Sequence, residues 1–151
     1  MTPKIDDISP AEWEVMRIVW TKGEVSSHDL ISLLQQKRDW SDSTIKTLIG
    51  RLVKKALLQT TKDGRRFLYT ATVAEGTAMD SNVQAMFANL CAMKRGQTLV
   101  NLIKALPLAQ ADITALQAVL ADKAKTAPEM VPCDCLPDET QCETCEVKDH
   151  E

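Results

Sequence analysis

Residues 41–55, SDSTIKTLIGRLVKK, decide how this chain is read. Ser41 is a helix-capping residue type, and Ile45, Leu48, Ile49, Leu52 and Val53 follow at the i, i+3, i+4, i+7, i+8 spacing of one helical face. The complementary stripe is Lys46, Thr47, Gly50, Arg51 and Lys54. One aliphatic side therefore faces a core, and the outward side is small, basic and hydroxyl-bearing. A helix fits the major groove of B-DNA, where short or cationic outer side chains reach base edges.

The flanking sequence supplies the rest of such a unit. In ISPAEWEVMRIVWTKG (8–23), Ser9 caps, Pro10 takes the first helical position and Glu12 completes a capping box. Trp13, Met16, Val19 and Trp20 recur at helical spacing until Gly23. Glu24 to Ser26 suit a short strand or connector, and a second helix begins at Ser26 or Ser27 with Leu30, Ile31, Leu33 and Leu34 on its apolar side. Downstream, LLQTTK and RRFLYTAT flank a hairpin signal at Asp63-Gly64. Helix, short strand, helix, basic helix and basic hairpin is the order of a winged helix-turn-helix. The hairpin would set Lys62, Arg65 and Arg66 against phosphates beside the helix. A solvated face explains the basic stripe alone; stripe and hairpin together favour DNA.

Composition agrees. With 44% hydrophobic but 4% aromatic residues among 151, the core must be mostly aliphatic. The net charge of −3 hides an asymmetry: seven bases oppose Asp63 between Ser43 and Thr70, whereas eight acids oppose Lys148 between Glu129 and Glu151. The opening MTPKIDDIS is not a signal peptide pattern, and no apolar run approaches the ~20 residues that span a bilayer. A cytoplasmic protein without a membrane partner is expected, and there thiols stay reduced. No nucleophile–base pair or glycine-rich phosphate loop appears, so an enzyme is not expected.

Three helical patterns follow at 75–93, 96–106 and 110–125, broken at Pro107. Their stripes (Met79, Val83, Met86, Phe87, Leu90; Leu99, Leu102, Ile103, Leu106; Ile113, Leu116, Leu120) give little core alone, so a second copy is expected to cover them. Cys91, on the apolar side of the first pattern, reads as a small core residue. The expected class is mainly α with a small β-hairpin. Residues 1–72 form a winged-helix DNA-binding domain, 73–127 a helical dimerisation region, and 128–151 an acidic cysteine-rich tail, disordered unless a metal orders it.

That tail carries four of the five cysteines, Cys133, Cys135, Cys142 and Cys145, as C-x-C, six residues, then C-x-x-C. Soft thiolates favour Cu(I) and Zn(II), and clustered cysteines in a reducing compartment read as a metal site before a redox switch. Zinc takes four thiolates at roughly 2.3 Å, and its binding can order an unfolded segment. His150 reads as a solvated terminal residue and His28 as exposed with no evident partner.

ISPAEWEVMRIVW, WSDSTIKTLIGRLVKKALL and GRRFLYTATV resemble the winged-helix repressors of the penicillinase-repressor type, and the cysteine tail resembles their copper-responsive branch. The resemblance implies a homodimeric repressor on an inverted-repeat double-stranded operator before copper-export genes. It further implies Zn(II) as the non-inducing structural ion and Cu(I) as the inducer; a copper chaperone is a further candidate partner. Ser43, Thr44, Lys46, Thr47 and Arg51 match the recognition-helix positions, joined by Lys54 of the basic stripe; Arg65 and Arg66 match the wing, and the four tail cysteines match the metal ligands. The family's usual tail is C-x-C-x4-C-x-C, so the spacing here differs. The alternatives are a β-lactam-responsive repressor of the same family, in which proteolysis needs no thiols, and a metal-buffering or redox thiol protein.

Overall fold

The computed structural model describes residues 2–137. Six helices and three strands run in the order α1 (Pro10–Lys22), β1 (Glu24–Ser26), α2 (Ser27–Lys37), α3 (Asp42–Lys54), β2 (Leu58–Asp63), β3 (Arg66–Ala71), α4 (Glu75–Ala88), α5 (Arg95–Ala105) and α6 (Gln110–Ala124). The chain divides into two compact units, residues 1–85 and 86–151.

The first unit is a winged helix. Its antiparallel sheet has the order β1-β3-β2, with Val25 opposite Tyr69 and Thr60 opposite the same Tyr69 from the other side. The hairpin register pairs Asp63 with Arg66, so the turn residues are Gly64 and Arg65, one position beyond the Asp63-Gly64 signal. Gly64 has φ of 62°, and Arg65 is not among the positive-φ residues. That fits a turn needing positive φ only at its first central position, so the glycine sits there rather than second.

The start signals act as the residues dictate. The Glu12 amide donates to Ser9 Oγ at 3.2 Å and the Ser9 amide to Glu12 Oε2 at 3.0 Å, closing the capping box of α1. Ser26 and Ser41 cap α2 and α3 by accepting from the Asp29 and Thr44 amides. The end of α3 is less usual. The Leu57 amide donates to the Leu52 carbonyl and the Ala56 amide to the Val53 carbonyl, a Schellman closure that puts Ala56, not glycine, at φ of 60°.

The core is aliphatic, as the composition requires. Val15, Met16 and Val19 of α1, Leu30 and Leu34 of α2, and Ile45, Leu48, Ile49 and Leu52 of α3 are buried together with Leu57, Leu58, Val25 and Ala78. Trp20 Nε1 donates to the Val73 carbonyl at 2.9 Å, fastening α1 to the segment after the wing. Asn82 Nδ2 donates to the Ile5 carbonyl, so the first part of α4 belongs to this unit. Glu12 is 2% exposed, and Lys55 Nζ reaches its Oε2 at 2.8 Å and the Asp7 carbonyl at 2.6 Å. The half-buried Lys55 clamps the start of α1 to the end of α3, because the buried Glu12 carboxylate needs a compensating charge.

In the second unit, α4 ends at Ala88, five residues before the sequence pattern stops, because the backbone turns at 89–94 although Leu90 continues the apolar spacing. Leu106 then takes an extended conformation (φ −87°, ψ 137°), as a residue before proline must, and ends α5. The apolar stripes of these helices face solvent in the single chain: Met86, Leu99, Leu102, Leu106, Ile113 and Leu120 are all exposed. No helix among the described residues is long and apolar enough to cross a membrane.

Candidate nucleic-acid interface and thiol cluster

α3 turns its aliphatic face inward, and this fixes what it shows outside. Ser43, Thr44, Lys46, Thr47, Gly50, Arg51 and Lys54 are all exposed, which is the stripe complementary to the buried Ile45, Leu48, Ile49 and Leu52. Two hydroxyls are already oriented: Thr47 Oγ1 donates to the Ser43 carbonyl at 2.9 Å, and Thr44 Oγ1 lies 3.0 Å from Ser41 Oγ. A Cβ built on Gly50 meets nothing within 4 Å, so the helix backbone is open to close approach there.

The entry to α3 is held by Gln35, whose Nε2 donates to Asp42 Oδ1 at 2.7 Å and to the Trp40 carbonyl at 3.3 Å. The end of α2 is held against α1 through Glu14, which takes Lys37 Nζ at 2.8 Å and Arg38 Nη2 at 3.0 Å. Hydrogen bonds from Lys37 and then Arg38 lower the Glu14 carboxyl from 4.5 to about 2. An open cavity of about 370 Å³ lies between α3 and the sheet, with Lys46, Gly50, Thr60 and Tyr69 among its lining.

On the wing, Lys62, Arg65 and Arg66 are exposed, with Arg65 at the turn itself. Arg66 Nη2 is 3.4 Å from Asp63 Oδ2, an exposed pair that costs little to break. The structure thus presents all eight residues expected at the DNA face, Ser43, Thr44, Lys46, Thr47, Arg51, Lys54, Arg65 and Arg66, to solvent on α3 and the wing. Phe67 is 49% exposed beside Arg66, an exposure that its β-prone run does not announce.

The thiols are arranged differently from the expectation. Cys142 and Cys145 lie outside the described residues. Cys133 and Cys135 lie within them and meet Cys91, which is half-buried in the turn after α4 rather than in a core, because the helix has already ended. The Sγ atoms of Cys91, Cys133 and Cys135 all lie within 4.8 Å of one another, and Cys91 to Cys133 is 3.7 Å. A disulfide would need about 2.05 Å.

A polar clamp sets this approach. The Ala92 amide donates to Asp134 Oδ1 at 2.8 Å, and Arg95 Nη2 reaches Asp134 Oδ2 at 3.2 Å. Arg95 also donates to the carbonyls of Leu90 and Ala88 at 3.0 Å each, so one guanidinium ties the end of α4 to the centre of the C-x-C pair. The Ala92 amide first, and the Arg95 charge with it, hold the Asp134 carboxyl below the usual carboxylate range. Hydrogen bonding to Cys133 and Cys91 pushes the Cys135 thiol up to about 12. At Cys91 the upward push of burial is outweighed by hydrogen bonds from Cys135 and Cys133, and its thiol is lowered. The expectation that His28 is exposed holds; its Nδ1 lies 3.5 Å from Asp29 Oδ1.

The family model "Penicillinase repressor" matches residues 8–122, three quarters of the chain, and stops before the cysteine tail. An uncharacterized 16.5 kDa protein of Latilactobacillus sakei is 60% identical over 95% of this chain and 98% of its own length, an alignment that extends into the tail. The methicillin resistance regulatory protein MecI of Mammaliicoccus sciuri is 34% identical over 82% of this chain and all of its own length. Among solved structures, that of Bacillus licheniformis BlaI in complex with the blaP half-operator is 39% identical, covers 50% of this chain and 92% of that one, and superposes with a TM-score of 0.44. A winged helix with an exposed basic face on α3, matched by the family model across both units, is therefore what this sequence builds: the chain belongs to the penicillinase repressor family of transcriptional repressors.

Proposed function

We propose that this chain is a metal-responsive repressor of copper-homeostasis genes, binding an inverted-repeat operator as a homodimer and releasing it when Cu(I) replaces Zn(II) at C-terminal thiolates. The observation that carries the reading is the combination, in one chain, of an exposed basic face on α3 with cysteines that converge near the turn after α4. In this reading Lys46, Arg51, Lys54, Arg65 and Arg66 engage phosphates and base edges, and Ser43, Thr44 and Thr47 pack close to the bases. Cys133 and Cys135, with Cys142 and Cys145 beyond the described residues, are the proposed metal ligands. The exposed stripes of α5 and α6 are the proposed dimer contacts.

A metal changes operator affinity only through its different affinity for the bound and free states. Coupling of about 1–3 kcal/mol corresponds to roughly 5- to 150-fold in operator affinity. The test is to titrate Cu(I), Ag(I) and Zn(II) into the protein–operator complex while following DNA release and bound metal together. Cu(I) and Ag(I) should release the operator and Zn(II) should not. Operator occupancy indifferent to all three ions overturns the metal-responsive reading.

A second reading, a β-lactam-resistance repressor, is favoured by the MecI relative. That relative is matched over its full length by 82% of this chain, and the present chain continues into a cysteine tail that proteolytic induction does not require. Deleting residues 128–151 separates the two: the metal reading needs the truncated protein to bind operator and ignore copper.

A further inference from the structure

Cys91 is the single cysteine outside the tail, and helical spacing assigned it to a core. The structure removes it from that role. It sits half-buried in the turn between α4 and α5, its sulfur 3.7 Å from that of Cys133 and within 4.8 Å of that of Cys135. We propose that Cys91, Cys133 and Cys135 form a three-thiolate site for a thiophilic cation, so that the metal fastens the C-x-C segment to the α4–α5 turn instead of being held by the tail alone.

The donor set and its spacing both fit. Thiolate sulfur selects Cu(I) and Zn(II) over hard cations. Sulfurs about 2.3 Å from one ion are separated by about 3.8 Å in tetrahedral geometry, close to the Cys91–Cys133 distance. The remaining contraction is small, since no pair exceeds 4.8 Å. Three thiolates also satisfy a low-coordinate monovalent ion without a fourth ligand.

The surroundings hold the donors in place. Asp134, between the two tail cysteines, is pinned by the Ala92 amide at 2.8 Å and by Arg95 at 3.2 Å, so the backbone carrying Cys133 and Cys135 is tied to the residue next to Cys91. Outer-shell hydrogen bonds of this kind orient metal ligands, and their loss commonly lowers metal affinity 10- to 100-fold. Arg95 adds a cation within this clamp, which offsets the negative charge of a site with more thiolates than the ion has charges. The chelate also spans 42 residues between Cys91 and Cys133, so metal binding constrains where α5 and α6 can lead the tail.

This proposal deepens the metal-responsive reading and rests on it, but the two fail separately. The full 151-residue chain, kept reduced, is loaded with one equivalent of Cu(I) or Zn(II) and pulsed with iodoacetamide; alkylation at each cysteine is read by peptide mass spectrometry. With either ion, alkylation of Cys91 should slow at least tenfold together with Cys133 and Cys135, and the protection should survive in a C142S/C145S variant. C91S should lower affinity at least tenfold against a competing chelator, and D134A should lower it less. Protection of the tail cysteines with Cys91 labelled at its metal-free rate overturns this site and leaves the metal reading standing. No protection of any cysteine by either ion overturns both. The wild-type labelling needs no variant to fold, so a poorly folded C91S does not blunt the test.

Discussion

Leu34 of α2 and Leu120 of α6 occupy similar helical repeats, yet one is wholly buried and the other is 53% exposed. The contrast runs through the molecule. Residues 8–78 contain every buried apolar side chain among the described residues, whereas from Met86 onward none is buried. The first unit closes three helices over a sheet and seals them with the Glu12–Lys55 pair and the Trp20–Val73 hydrogen bond. The second unit has two short helices, α5 and α6, and a turn held by Arg95, too little to bury its own stripes. A unit with its own buried core is therefore followed by helices whose apolar stripes are exposed in the single chain.

The largest expected effect breaks or keeps this contrast directly. Leu34→Ala should destabilise the first unit by about 2–5 kcal/mol, the range for emptying a buried leucine site. Leu120→Ala should change it by less than about 0.5 kcal/mol, as exposed substitutions do. All three tryptophans, Trp13, Trp20 and Trp40, lie in the first unit, so urea unfolding followed by tryptophan fluorescence reads it selectively. If α6 is covered by a second copy, Leu120→Ala should instead weaken self-association in sedimentation equilibrium.

Next in size is the exposed basic face of α3, the proposed DNA contact. Arg51→Ala should weaken operator binding by about 1–3 kcal/mol, roughly 5- to 150-fold, and make its salt dependence shallower. The same measurement on Lys104→Ala, a cation of α5, should show no comparable loss. Equal losses at both positions would place DNA contacts outside the winged helix.

Smaller again is a pH effect confined to the first unit. The Glu14 carboxyl titrates near 2 when folded and near 4.5 otherwise, so its contribution is fully present above 4.5 and disappears as pH falls toward 2. Its partners Lys37 and Arg38 are about half exposed, which screens the pair and limits the contribution to about 1–2 kcal/mol. The stability gap between wild type and Glu14→Gln should be present at neutral pH and close across that acid window. The smallest change is a gain. Ala56 sits at φ of 60° where glycine is unstrained, so Ala56→Gly should stabilise the first unit by up to about 1 kcal/mol in the same urea assay.

Much of the first unit was legible because its signals are local. Ser9, Glu12, Ser26, Ser41 and Gly23 act within one turn of where they stand, and the spacing of Ile45 to Leu52 states which side of α3 is inside. The exposure of Lys46 and Arg51 follows from that. The hairpin slipped by one residue because the sequence cannot say whether Gly64 takes the first or second central position; strand register decides it. The end of α4 was not legible, since Leu90 keeps the apolar spacing after the backbone has turned.

The sequence by itself determined a winged helix with a basic outer stripe, an aliphatic core and a thiol-rich tail, since capping, periodicity and charge are properties of neighbouring residues. Only the tertiary structure decided that Cys91 belongs with Cys133 and Cys135. That meeting depends on the Asp134 contacts with Ala92 and Arg95, groups about forty positions away along the chain. No periodicity encodes a contact of that separation; it exists only once the backbone between has folded and brought the donors and acceptors within reach.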